Sequence, residues 1–144
     1  MNLLIRKATK ADLDEVIALE NALFLQSYSK DYQETFFDQQ SLLLAYDLNQ
    51  LIGVCGYFNQ HDSAEIIMIG VKQEYRKKYV ATMLLKACIS TLITQNVRSL
   101  FIEVRESNVA AIKLYQSLNF IENRIRKEYY RNPVEDAIEM RLDL

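Results

Sequence analysis

Glu103 and Tyr115 stand twelve residues apart, the first near the end of an alternating stretch, Leu100–Val104, and the second inside a run of helical period. A carboxylate and a phenol are groups that take and give protons. In sheets with crossover helices, ligands collect beyond the carboxyl ends of strands, which is where Glu103 falls. By type alone the two also fit a surface glutamate and a core tyrosine. Asn108 precedes Tyr115 by seven residues, a spacing that puts two side chains almost above one another on a helix. A second group is Arg76-Lys77-Lys78, which follows Val71 and leads into the apolar-periodic run Tyr79–Thr94. The order is strand end, basic turn, helix start. Free N–H groups at a helix start attract phosphate, and the macrodipole adds about half a positive charge. A solvated charged turn has the same composition.

Other chemistries are poorly supplied. The single histidine, His61, lies in Gln60-His61-Asp62-Ser63, which reads as a hairpin turn. A Ser-His-Asp or Cys-His arrangement would need it, and no serine or cysteine has a nucleophile-elbow context, so covalent hydrolysis is excluded. One histidine also excludes a multi-histidine metal site, and no metal is expected. Cys55 and Cys88 stand in apolar surroundings without metal-ligand spacing and read as buried free thiols. Gly53, Gly56 and Gly70 have the spacing of neither a G-x-G-x-x-G nor a Walker loop, so a nucleotide must be held by another device.

The 144 residues are half hydrophobic and a quarter charged, which fits a single domain over residues 1–144. Seventeen basic against nineteen acidic side chains give a net charge of −2, against binding nucleic acid through broad electrostatics. Met1–Arg6 runs straight into polar sequence with no secretory signal, and no apolar run approaches the roughly 18–20 residues of a membrane span. A soluble cytoplasmic domain is expected, monomeric or weakly dimeric.

The elements that must position these residues follow from periodicity. Leu3–Lys7 is a strand. Thr9, with Asp12 three residues later, opens a helix carrying Leu13, Val16 and Ile17 on one face. Ser29–Gln39 reads as a second helix. Ser41–Tyr46 and Leu51–Phe58 form a hairpin about Asp47-Leu48-Asn49-Gln50, and Ala64–Val71 continues the meander. Tyr79–Thr94 is a helix, Ser99–Val104 a strand, and Ser107 caps a helix reaching Leu118. Phe120–Tyr130 and Ala137–Leu142 pair around Asn132-Pro133, since proline cannot continue a central strand. The order β-α-α-β-β-β-α-β-α-β-β indicates an α+β, mixed-sheet domain. Parallel strands in its second half would make right-handed crossovers.

Together the two chemical segments resemble the GNAT superfamily of acetyl-CoA-dependent N-acyltransferases. Val71, Arg76, Ala81, Leu84 and Leu85 match its acetyl-CoA motif, Val-x-Pro-x-x-Arg-x-x-Gly-x-Gly/Ala-x-x-Leu-Leu. Glu103–Phe120, Arg126–Tyr130 and Glu135–Met140 are similar to the RimI-type ribosomal-protein N-terminal alanine acetyltransferases. The resemblance implies a mixed, mostly antiparallel twisted sheet flanked by helices, and acetyl transfer to the N-terminal amine of a protein, a ribosomal protein beginning with alanine. It implies Glu103 as general base and Tyr115 as the acid that protonates the departing CoA thiolate. Ile69, Gly70 and Val71 match a splayed strand that pairs with pantetheine and the acetyl carbonyl. Arg76, Lys77, Lys78, Tyr79, Val80 and Ala81 match the pyrophosphate loop, and Asn108 matches a CoA contact. Gln26–Glu34 and the Arg126–Glu135 hairpin match segments that flank the acceptor groove.

Three residues depart from the pattern. Gln73 replaces the motif's proline. Asn119 replaces the glycine before Phe120, a mild change because asparagine tolerates left-handed backbone. Tyr79 replaces the loop glycine, which allows close approach to phosphate and positive φ without cost; a tyrosine offers its N–H there provided φ stays negative. Two alternatives stay open: an acetyltransferase acting on small amines and, because of Tyr79, a degenerate module of this fold that binds CoA weakly or binds only a protein partner.

Overall fold

A computed structural model describes residues 1–24 and 41–144. The helix expected over 29–39 and the groove-flanking stretch 26–34 lie outside the described residues.

Strand β1 (Leu3–Lys7) leads through Thr9 into a 3₁₀ turn, Lys10–Asp12, and helix α1 (Leu13–Leu23). The helix start read from Thr9 and Asp12 is present: Asp12 Oδ2 accepts the Thr9 N–H at 2.7 Å and the Thr9 hydroxyl at 3.1 Å. Arg6 closes a two-pronged pair on Asp12, 2.8 Å to each oxygen, and holds that carboxyl well below the usual carboxylate range. Helix α1 buries Leu13, Val16 and Leu19, the period-3.6 stripe expected of a helix packed on a sheet.

The sheet continues with β2 (Leu42–Asp47), β3 (Gln50–Gln60), β4 (Ser63–Val71), β5 (Ser99–Arg105), β6 (Ile121–Tyr130) and β7 (Glu135–Asp143). Helix α2 (Val80–Thr94) joins β4 to β5, and α3 (Val109–Ser117) joins β5 to β6. Strand order is β1-β2-β3-β4-β5-β7-β6. Both β2 and most of β3 are buried on both faces, so they read as continuous apolar runs instead of alternating ones. β1 with β2, β2 with β3, β5 with β7 and β6 with β7 are antiparallel. β3 and β4 are joined by the two residues His61 and Asp62, a link only antiparallel neighbours can use. The parallel pair is β4 with β5, from Ser63↔Ser99 to Ile66↔Ile102, with α2 as its crossover helix. The sheet is therefore mixed and mostly antiparallel, as expected. β6 does not lie beside β5, because β7 inserts between them.

Two compact units emerge from the packing: Met1–Phe58 with Ile67–Thr91, and Asn59–Ile66 with Leu92–Leu144. The first has a core built from α1 and the meander, including Val16, Leu19, Leu42, Leu44, Val54 and Met68. Each such side chain contributes roughly 1.5–3 kcal/mol on burial. Cys55 of β3 and Cys88 of α2 are free thiols of this unit, fully buried as the sequence suggests. Their hydrogen bond to one another, together with burial, pushes the Cys55 thiol up. The second unit buries Leu100, Ile102 and Val104 of β5, Tyr115, Phe120, Ala137 and Met140. Among the described residues no helix is long and apolar enough to cross a membrane.

Candidate active site

In the first unit the chain runs from β4 into the basic turn. The ladder with β5 ends at Ile66, so Ile69, Gly70 and Val71 lie beyond it. Gly70 sits close under the end of α1: a Cβ there would stand 2.8 Å from Phe24 Cζ and 3.0 Å from Leu23 Cδ1, so those side-chain ends would have to move. The Val71 carbonyl accepts Arg76 Nε at 3.2 Å, which folds the arginine back over the strand end. A 3₁₀ turn, Gln73–Tyr75, stands where the family motif has its proline, and the Tyr75 hydroxyl donates to Asp47 Oδ2 at 2.8 Å. Lys78 Nζ lies 5.6 Å from the centre of the Tyr75 ring.

Arg76, Lys77, Lys78 and Tyr79 are all exposed. The Val80 side chain belongs to the core, so only its backbone N–H is open to a ligand. The first hydrogen bond of α2 runs from Met83 N–H to the Tyr79 carbonyl at 3.0 Å, so the amides of Val80, Ala81 and Thr82 precede it. Three exposed cations around those amides fit a phosphate-bearing ligand. The condition placed on Tyr79 is not met: its φ is +66°, and that of Lys77 is +60°. The loop keeps the left-handed shape glycine would give it, at a strain of about 1–2 kcal/mol for each side chain that adopts it. Asn119 is left-handed too, φ +73°, in keeping with its amide type.

In the second unit Glu103 lies on a charged face of the sheet. Glu103 opposes Glu139 on β7, which opposes Arg124 on β6. Glu65 opposes Phe101, two residues before Glu103 and on the same face. Three carboxylates from three strands thus share one surface, and β6 supplies the cations. Arg126 Nε lies 3.0 Å from Glu103 Oε1, a close ion pair off the hydrogen-bond line, and Arg126 Nη2 is 3.5 Å from Glu139 Oε2. Arg124 Nε and Asn123 Nδ2 reach Glu139 Oε1 at 3.2 and 2.7 Å. These contacts hold Glu139 below its ordinary value although burial works the other way. Partial burial and then the Glu103 charge push Glu65 up. Tyr129 donates its hydroxyl to Glu103 and is raised by that bond, while burial, then Glu103, pushes Tyr130 up to about 12.

The pairing of β6 with β7 is irregular at two places, between Glu122 and Arg124 and between Arg126 and Tyr130. Between Arg126↔Ala137 and Tyr130↔Glu135, three residues of β6 face one of β7, with Glu128 at φ +50°. Its amide is held by Asp136 Oδ1 at 2.8 Å. Sequence reading places the hairpin by motif but misses the contacts of Arg126 and Tyr129 with Glu103, and the roles of Glu65 and Glu139. The period-2 pairing would have aligned Glu139 with Glu103; nothing local announces the bulge.

Tyr115 is buried, 4% exposed, its ring 5.9 Å from that of Phe120. Asn108 does not share its face. It is the N-cap of α3, with Oδ1 accepting the Ala111 N–H at 3.2 Å, and it is exposed. The cap expected at Ser107 is one residue later, and Ser107 turns both its hydroxyl and its N–H to Glu135, the latter to Oε2 at 2.7 Å. The site residues thus form two groups, Ile69–Ala81 in the first unit and Glu103, Asn108 and Tyr115 in the second.

Residues 13–120 match the acetyltransferase (GNAT) family, and the chain belongs to it; it is an N-acyltransferase. Over 139 residues, 94% of this chain and 92% of the other, it is 31% identical to a Bacillus subtilis protein provisionally assigned as a ribosomal protein bS18-alanine N-acetyltransferase. The crystal structure of the ribosomal-protein-S18-alanine N-acetyltransferase from Escherichia coli superposes with a TM-score of 0.86 at 29% identity, covering 99% of this chain and 94% of that one. A subunit of the NatC complex bound to Gag peptide and CoA has the same fold, TM-score 0.90 at 22% identity, covering 100% and 99%.

Proposed function

We propose that residues 1–144 act as one acetyltransferase domain that moves an acetyl group from acetyl-CoA to the N-terminal α-amine of a protein, a ribosomal protein beginning with alanine. The observation that carries this reading is the likeness, along nearly the whole chain, to proteins named for that reaction. The acceptor enters by its peptide N-terminus, in the cytoplasm, with no nucleic acid or membrane involved.

Acetyl-CoA supplies the acyl group as a thioester. Glu103 takes the proton of the attacking amine, directly or through water, as the N–C bond forms. An α-amine of pKa about 7.7–8.0 is roughly 10–15% neutral at pH 7, whereas a lysine amine near 10.4 is about 0.04% neutral. That gap is about 3.5 kcal/mol, so a single carboxylate base suits an N-terminal acceptor far better. The Val71 N–H donates to the developing oxyanion. Tyr115 gives its proton to the thiolate as the C–S bond breaks. Ile69 and Gly70 hold the pantetheine arm through their backbone, Arg76, Lys77, Lys78 and the amides of Val80 and Ala81 hold the pyrophosphate, and Asn108 lies along the same ligand.

The test is an acetylation screen with peptides differing in their first residues, followed by two variants. Alanine-initiated peptides should be acetylated, with Glu103→Gln and Tyr115→Phe each lowering kcat by roughly 10²-fold or more. Unchanged turnover in both variants would remove the assigned roles, and activity confined to free small amines would remove the acceptor.

A further inference from the structure

Tyr79 exposes 78% of its surface on a backbone whose φ of +66° penalises any side chain. Glycine would hold the same shape without that penalty, so the loop's geometry does not call for a ring. Residues kept in such conformations gather at ligand clamps. The core of the first unit makes no use of the ring, and Met83, whose amide bonds to the Tyr79 carbonyl, is 44% exposed. The same exposed turn carries Arg76, Lys77 and Lys78, and the open amides at the start of α2 follow it directly. Cations and amides select phosphate, while an exposed aromatic face selects a flat base. The two together, one residue apart, describe a ligand in which a phosphate adjoins a nucleobase.

We infer that Tyr79 is a stacking platform for the adenine base of the acyl donor, a contact that a glycine at this position cannot make. This rests on acetyl-CoA being the donor. The ring would recognise the nucleotide end, remote from the reacting thioester, and would therefore act on donor affinity and leave the chemical step alone.

Calorimetry with two donors tests it: acetyl-CoA, and acetyl-4′-phosphopantetheine, which lacks the adenosine. Tyr79→Phe should bind acetyl-CoA within about twofold of the parent, whereas Tyr79→Leu and Tyr79→Gly should bind it about tenfold more weakly, in the range of one lost base–aromatic stack. Affinity for the adenosine-free donor should be the same in all four proteins. The chain has no tryptophan, so Tyr79→Trp adds a single reporter, quenched by acetyl-CoA and not by the shorter donor. Equal or tighter acetyl-CoA binding by Tyr79→Leu and Tyr79→Gly overturns the inference, as does equal weakening towards both donors, which would mean the ring shapes the loop. Absence of acetyl-CoA binding by the parent protein overturns the donor assignment itself, and the inference with it.

Discussion

Glu20 shows how much one residue can decide. It is 1% exposed in α1, and burial pushes its carboxyl up to about 7 from 4.5. The folded state therefore holds a proton there that the unfolded state releases between pH 4.5 and 7. Stability falls as pH rises through that window, by up to about 3 kcal/mol, and the fall is complete above the folded value. Glu20→Gln keeps the shape and removes the titration. Urea unfolding at pH 5 and pH 8 should show the parent losing stability at pH 8 and the variant losing much less; parallel curves would contradict the assignment. Tyr129 is the comparable residue of the second unit. Its hydroxyl bond to Glu103 is lost in Tyr129→Phe, which should lower kcat by about three- to tenfold with little change in Tm.

Among the elements, α3 and β4 make the sharpest claims. Asn108→Ala should cost about 1 kcal/mol of stability through the lost cap, read as a lower urea midpoint, and Asn108→Ser should restore most of it. If Asn108 also touches the donor, the serine variant will keep its Tm yet raise the KM for acetyl-CoA. Gly70→Ala forces a methyl against Phe24 and Leu23 at the end of α1 and should destabilise by roughly 1–3 kcal/mol. Where local chemistry dictates an element, the sequence was readable. Thr9 and Asp12 mark the α1 start, and His61-Asp62 the β3–β4 turn. Where tertiary partners dictate, it was not. The cap lies at Asn108 and not at Ser107, whose hydroxyl and amide both go to Glu135, twenty-eight residues away. Arg105 was read only as part of a motif, yet it ties the β6–β7 hairpin down through the Arg131 and Pro133 carbonyls and Glu135 Oε1, all at 3.0–3.1 Å. Such bonds have no signature in spacing.

For the molecule as a whole, a net charge of −2 conceals an uneven distribution: three exposed cations in a row on one turn, three carboxylates on one sheet face. Donor binding should accordingly be salt-sensitive, with the Kd for acetyl-CoA rising about three- to tenfold between 50 and 500 mM NaCl while the urea midpoint barely moves. A salt-independent Kd would argue against the turn as the phosphate site. The order of the described strands and helices was legible along the chain; the sheet order, with β7 between β5 and β6, and the division into two units were not, because they depend on how residues far apart in the chain pack. The thiols of Cys55 and Cys88 give that packing a practical consequence. Both are fully buried, so a reagent such as DTNB can label them only when the first unit opens. Labelling is then a clock for opening. A donor that binds only the closed form should slow it by about 100-fold at a hundred times its Kd. The chain thus carries its own label-based assay for the ligand, independent of turnover and of any acceptor.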